Sequence, residues 1–188
     1  EISYRHLMKG ADKDSFESIV ASGPRSALPH GIATDRKLKK GEFITLDFGC
    51  IYHGYPSDLT RTVVLGKATQ EMRKIYGIVK EAQEAGVKAI APGVKCAEVD
   101  SVARKIITDA GYGDKFTHSL GHGLSQIVHA LPVLAASSKS RLERNNVVTV
   151  EPGIYIEDFG GVRIEDDVLV TDNGCEILNK SPKELIEL

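Results

Sequence analysis

Phe43-Ile-Thr-Leu-Asp47-Phe-Gly-Cys-Ile-Tyr-His-Gly-Tyr-Pro-Ser-Asp58-Leu-Thr-Arg61 is the stretch on which the reading of this chain turns. An apolar, β-branched run carries a carboxylate, Asp47, where a buried strand would want another apolar side chain. A turn of Gly54, Pro56 and Ser57 is expected next. Asp58 then opens a second β-rich run, Leu59 to Leu65. Two strands joined by a short turn set Asp47 and Asp58 on neighbouring strands, side by side. Bare carboxylates so placed repel each other, so the arrangement requires a cation or a shared proton.

The second half of the chain repeats the device. Asn146 to Ile156 reads as a strand with Glu151 embedded in it. After a turn at Glu157–Gly161, Val162 to Val170 reads as a strand with Glu165 inside. Between the halves lies Phe116-Thr-His118-Ser-Leu-Gly-His122-Gly123, with His129 seven residues beyond His122. Taken singly, each acid has an ordinary structural reading as a turn or strand-end residue. Taken together, two Asp, two Glu and one His form a hard, oxygen-rich donor set. It suits a pair of divalent ions such as Mn²⁺, Co²⁺ or Zn²⁺ better than a thiolate zinc site does. No Gly-x-Ser-x-Gly elbow and no His-Glu-x-x-His helix is present to offer a different chemistry.

The rest of the chain frames these motifs. Thr69 to Ala91 has the three- and four-residue recurrence of an amphipathic helix, with Ile75, Ile78, Val79, Ala82, Ala85 and Ala89 on its apolar face. A second helix is expected over Ala97–Ala110, burying Val99, Val102, Ala103, Ile106 and Ile107, with Gly111 and Gly113 ending it. Ser15–Ser22 reads as a strand broken by Gly23-Pro24. Lys180–Leu188 reads as a terminal helix with Pro182 at its first position. His6 and His53 read as exposed or loop histidines, and Arg36-Lys-Leu-Lys-Lys40 as a solvated turn. The result is an α+β fold: a curved antiparallel sheet with helices on its outer face and two halves related by an approximate two-fold axis.

A length of 188 residues implies one domain, and 41% hydrophobic with 27% charged residues fits a soluble globular protein. A formal charge of −2 without a long basic cluster argues against a nucleic-acid footprint. No apolar run of ~18 residues suggests a membrane span. Three widely spaced cysteines, Cys50, Cys96 and Cys175, fit a reduced, cytoplasmic protein.

Six segments, in order along nearly the whole chain, resemble the methionine aminopeptidase, prolidase and aminopeptidase P superfamily, and its proline-directed branch most closely. They are Ser26-Ala-Leu-Pro-His30-Gly, Leu46-Asp-Phe-Gly, Ser57-Asp-Leu-Thr-Arg-Thr, His118-Ser-Leu-Gly-His-Gly, Val150-Glu-Pro-Gly-Ile-Tyr and Gly161-Val-Arg-Ile-Glu-Asp. The resemblance implies the pita-bread fold and hydrolysis of the peptide bond before proline, in a dipeptide or at a peptide's N-terminus. It implies two divalent cations, Mn²⁺ foremost, ~3.5–4 Å apart and sharing a water made nucleophilic. Asp47, Asp58, His122, Glu151 and Glu165 would be the ligands, with Asp58 and Glu165 bridging. Glu151 would also shuttle protons, and His30 and His129 would steady the oxyanion. His118, Tyr155 and Arg163 would stand near the substrate, although Arg163 is equally readable as a salt-bridge partner of Asp166. The resemblance further implies that residues 1–188 are a catalytic domain lacking an N-terminal domain and part of its first helix, and that the full-length protein is a homodimer. An inactive pita-bread binding module and a methionine aminopeptidase are the competing readings. Two positions depart from the family pattern: Ala130 follows His129 where an acid is usual, and Ser125 stands where glycine is usual. The missing acid bears on substrate choice and turnover more than on metal binding.

Overall fold

The computed structural model describes residues 1–188. A short helix, α1 (Ile2–Met8), leads into β1 (Lys13–Asp14) and β2 (Ile19–Ser22). The β-branched run then forms β3 (Glu42–Asp47), which lies between β2 and β6 (Thr60–Leu65) in an antiparallel sheet. Its register sets Asp47 opposite Thr60, so Asp58 lies just beyond the paired residues of β6. The expected simple turn between the two acids is instead a second small hairpin. β4 (Cys50–Tyr52) pairs with β1 and with β5 (Tyr55–Pro56), and the chain reverses at His53-Gly54, both left-handed at φ 49° and 82°. Pro56 sits in an edge strand, where its missing N–H is tolerated.

Helix α2 (Gln70–Lys88) is capped by Thr69, whose hydroxyl accepts from the Met72 N–H at 3.2 Å. Its buried stripe runs through Met72, Ile75, Tyr76, Val79, Ala82, Gln83, Gly86 and Val87, rotated from the expected stripe, because it includes Gln83 and Gly86 in place of Ile78 and Ala85. Gly86 permits the helix to sit on the sheet: a Cβ there would meet Val150 at 3.0 Å. Helix α3 (Cys96–Asp109) buries Val99, Ala103 and Ile107 as expected. Val102 is 40% exposed, however, and Asp100 is buried in its stead.

The five-stranded sheet runs β13-β12-β9-β7-β8, with β7 (Gly121–Leu124), β8 (Ala130–Leu134), β9 (Val147–Val150), β12 (Asp166–Val170) and β13 (Cys175–Ile177). A separate hairpin joins β10 (Gly153–Ile156) to β11 (Gly160–Arg163). The continuous strands expected over 146–156 and 162–170 are therefore each broken, at Glu151-Pro152 and at Ile164-Glu165. Pairing stops there: the Glu151 N–H donates to Leu120 C=O at 2.8 Å and the Glu165 N–H to Thr60 C=O at 3.1 Å. Side-chain alternation nevertheless continues through both breaks. Val148, Val150, Ile154, Val162, Ile164, Val168 and Val170 join the helices in one core of 24 residues. Thr149, Glu151, Tyr155, Arg163, Glu165 and Asp167 point the other way.

The two halves meet along β6. Thr62 Oγ1 donates to Arg163 C=O at 2.9 Å and accepts from the Arg163 N–H at 3.1 Å. The expected terminal helix does not form. Residues 181–188 instead run as irregular chain whose end lies along β6, with Val64 N–H donating to Ile186 C=O and Leu188 N–H to Val64 C=O, both at 2.9 Å. Arg61 fixes the start of this segment by donating to Ser181 and Pro182 carbonyls at 2.8 and 2.9 Å. His6 departs from its reading as well: it lies on α1, half-buried, 2.6 Å from Asp14 Oδ1. No helix is long and apolar enough to cross a membrane.

Candidate metal centre

Asp47 at the end of β3, Asp58 before β6 and Glu165 at the second strand break are all buried, and one oxygen of each lies within 4.8 Å of the others. His122 on β7 joins this group: its Nε2 is 3.7 Å from Asp58 Oδ2 and 3.4 Å from Glu151 Oε1. The five side chains singled out as ligands thus form one contiguous cluster. Gly121 makes the approach possible, since a Cβ there would lie 1.9 Å from the Thr149 carbonyl oxygen.

Four of the five, Asp47, Glu165, Glu151 and His122, are held by one atom and leave another free. Arg163 Nη2 donates to Asp47 Oδ2 at 2.5 Å, while Asp47 Oδ1 is buried without a partner. Thr60 Oγ1 donates to Glu165 Oε2 at 2.6 Å, while Glu165 Oε1 is likewise orphaned. Thr149 Oγ1 donates to Glu151 Oε1 at 3.0 Å and accepts from the His122 N–H at 3.0 Å. His122 Nδ1 lies 3.1 Å from Gly123 C=O, which assigns the proton to Nδ1 and leaves the Nε2 lone pair facing the acids.

Electrostatics say the same. Burial, reinforced by the charges of Asp47 and Glu151, pushes Asp58 up to about 9. Burial also raises Glu151 to about 7 and lifts Glu165 well above the carboxylate range. Burial lowers His122, favouring the neutral ring that a cation needs. Four crowded carboxylates face one guanidinium, and two of their oxygens, Asp47 Oδ1 and Glu165 Oε1, are fully buried without a donor. These residues fit divalent cations, whose charge would supply what the protein leaves uncompensated.

The cluster floors a cavity of about 530 Å³. His30, His118, His129 and Arg163 line it together with Asp47, Asp58, His122 and Glu151. The His129 ring lies 4.4 Å from that of His122, centroid to centroid. Tyr155 stands behind the wall. Its hydroxyl donates to His118 Nε2 at 2.7 Å and accepts from Arg163 Nη1 at 2.9 Å. His118 Nδ1 then donates to Ser119 C=O at 2.8 Å, and burial lowers this imidazole to about 4, so it is neutral. Burial raises the Tyr155 hydroxyl to about 12. Burial opposes the charge of Arg163, but Tyr155, Asp47 and Glu151 outweigh it and keep the guanidinium protonated. The alternative reading of Arg163 as a partner of Asp166 is overturned. Asp166 faces α2 and pairs with Arg61 at 2.7 Å and Lys183 at 2.8 Å.

Several residues that matter here were not singled out from sequence. Thr60 and Thr149 tether the two glutamates. Asp167, buried and raised by burial to about 7, accepts from the Asp58 N–H at 3.1 Å. Threonines are commonplace in strands, and only alternation with Glu151 and Glu165 across the breaks gave a signal for Thr149 and Asp167.

Comparison with known proteins agrees with this geometry. Residues 1–172 match the model of metallopeptidase family M24. The chain is 47% identical over 186 residues to an Xaa-Pro dipeptidase of Pyrococcus furiosus, which covers 99% of this chain and 53% of that protein. It superposes on the Xaa-Pro dipeptidase from Bacillus anthracis with a TM-score of 0.98 at 50% identity, covering 100% of this chain and 53% of that one. The X-Pro aminopeptidase from Thermotoga maritima gives a TM-score of 0.97 at 44% identity, with the same coverages. The chain spans about half the length of the curated relatives it matches.

Proposed function

Since the chain belongs to metallopeptidase family M24 and carries its pita-bread fold, we propose that residues 1–188 form a catalytic unit that hydrolyses the peptide bond preceding proline. The observation that carries this reading is the convergence of three buried acid oxygens within 4.8 Å, with His122 and Glu151 alongside, beneath a histidine-lined cavity. The relatives named as Xaa-Pro dipeptidases and an X-Pro aminopeptidase support the substrate class. They favour it over a methionine aminopeptidase.

Asp47, Asp58, His122, Glu151 and Glu165 would hold two divalent cations, Mn²⁺ by preference. When bound, such a pair polarises a carbonyl and acidifies a water toward neutrality. The protein's own groups do the rest. Glu151, whose Oε1 lies 3.4 Å from His122 Nε2 and accepts from Thr149 Oγ1 at 3.0 Å, would take a proton from the attacking water and return it to the proline nitrogen as the C–N bond breaks. The bond before proline is a tertiary amide with no N–H, so the site needs no acceptor for one. His30 and His129, both lining the cavity, face the carbonyl oxygen as it gains charge. Arg163 is committed to Asp47, Tyr155, Thr60 and Pro29, and fixes the proline-side wall together with His118.

The test is hydrolysis by the purified chain with Mn²⁺ of Xaa-Pro dipeptides, Xaa-Pro-Xaa tripeptides and Met-Ala peptides. Mn²⁺-dependent cleavage confined to the proline substrates is the expected result. Preference for Met-Ala, or no metal-dependent cleavage, contradicts the reading.

A further inference from the structure

Helix α3 carries a charge pair that has no place in the chemistry above. Asp100 is fully buried, with 0% relative exposure, on a helix face otherwise made of Cys96, Val99, Ala103 and Ile107. Its carboxylate accepts a forked pair of bonds from Arg104, Nε to Oδ2 at 2.8 Å and Nη2 to Oδ1 at 2.9 Å. Oδ1 also accepts from the Leu120 N–H at 3.1 Å, a proton shared with Leu134 C=O at 2.9 Å. Arg104 then reaches onward: Nη1 donates to Phe116 C=O at 3.0 Å and Nη2 to His118 C=O at 2.8 Å. Its guanidinium stacks 4.1 Å from the centre of the Phe116 ring, and that ring meets the His118 ring edge-on at 5.1 Å. The pair therefore grips residues 116, 118 and 120 of a segment that belongs to no strand.

That segment touches the site at both ends. His118 lines the cavity and holds Tyr155. Leu120 C=O accepts the Glu151 N–H at 2.8 Å, at the point where the strand ladder breaks and Glu151 has no other backbone partner. A lone salt bridge on a helix surface contributes little. A buried acid accepting three N–H groups while its partner fixes two carbonyls is instead an orienting device.

We infer that Asp100 and Arg104 are positioning residues, which hold the 116–120 segment from the outer side so that His118 and Glu151 stand at fixed places in the cavity. The assignment rests on the peptidase reading for its catalytic consequence. Two variants separate it from a plain stability role. Arg104→Lys keeps a charge beside Asp100 but cannot span both carbonyls. The double variant Asp100→Asn with Arg104→Met removes the pair without leaving a lone buried charge.

Both variants and the parent are assayed for KM and kcat on an Xaa-Pro substrate with Mn²⁺, and their amide hydrogen exchange is followed by mass spectrometry. Mispositioning predicts a higher KM, a fall in kcat/KM of ~10–100-fold for the double variant and a smaller fall for Arg104→Lys. It also predicts faster exchange confined to residues 116–124 and 150–154. Partial unfolding alone would lower kcat with KM unchanged and raise exchange throughout the chain. A parent-like KM, or unaltered or uniformly raised exchange, overturns the assignment. A parent that cleaves no Xaa-Pro substrate sinks the peptidase reading instead, and the exchange pattern then decides alone whether the pair holds the segment.

Discussion

Glu151 is the residue asked to do most. It lies 3.4 Å from His122, is tethered by Thr149, and in the metal-free protein is raised by burial to about 7. Its neighbour Asp47 is held by Arg163 at 2.5 Å and so has a different job. Replacing Glu151 by Gln keeps the size and the Thr149 contact but removes the proposed proton acceptor. The expected loss in kcat is ~10²–10⁴-fold, with measurable Mn²⁺ binding retained through the other four side chains. Steady-state kinetics together with metal titration check this, and a Gln variant within a few-fold of the parent contradicts the role. The ligand set itself was legible because carboxylates embedded in apolar runs are conspicuous. Arg163 was only half-legible: three positions along, Asp166 looked like its partner, but strand alternation turns Asp166 to the helices and Arg163 to the cavity.

At the scale of elements, the site depends on strands that stop in the right place. The breaks at Glu151-Pro152 and Ile164-Glu165 free two backbone N–H groups to bind Leu120 and Thr60, which draws β7 and β6 against the acids. Nothing in Asn146–Ile156 or Val162–Val170 announces a change of pairing partner except Pro152, because the apolar alternation continues unbroken. The C-terminal segment misled for a similar reason. Ser181-Pro182 has the form of a helix start, but the Arg61 guanidinium and the Val64 N–H and C=O offer partners that a non-helical chain satisfies better. The helix stripes have the expected period but a shifted phase, since Gln83 and Asp100 are buried by hydrogen bonding rather than by hydrophobicity. Gly121 is the tightest test of this layer. A methyl group there would overlap the Thr149 carbonyl at 1.9 Å, so Gly121→Ala forces β7 from β9 and displaces His122. We expect a loss of ~1–3 kcal/mol in chemical denaturation, accompanied by weaker Mn²⁺ binding. Unchanged stability and metal affinity would show that the strands can separate without consequence.

For the molecule as a whole, folding brings like charges together and leaves them short of cations. Asp58 at about 9, with Glu151 and Asp167 at about 7, all lie above the ordinary carboxylate values of 3.8 to 4.5. Such groups favour the folded state while protonated, and that contribution is lost as pH rises through the folded values. His118 and His122 act in the opposite sense, because the fold favours their neutral rings, but their effect is complete once pH passes the ordinary value of 6.5. Between pH 6.5 and 9 only the acids remain to titrate. The metal-free protein should therefore lose thermal stability steadily across this window. The Mn²⁺-loaded protein should lose much less, since cations favour the ionised acids. Calorimetry of both forms at several pH values checks the sign. A metal-free Tm that is flat or rising, or a gap between the two forms that does not widen, is incompatible with the cluster described.

Anomalous X-ray diffraction at the manganese edge, from crystals grown with Mn²⁺, tests the centre most directly. Two anomalous peaks per chain, each within coordination distance of Asp58 and Glu165 and together touching Asp47, His122 and Glu151, are the predicted result. A cavity without a peak, or manganese bound only to acids elsewhere on the surface, would contradict it.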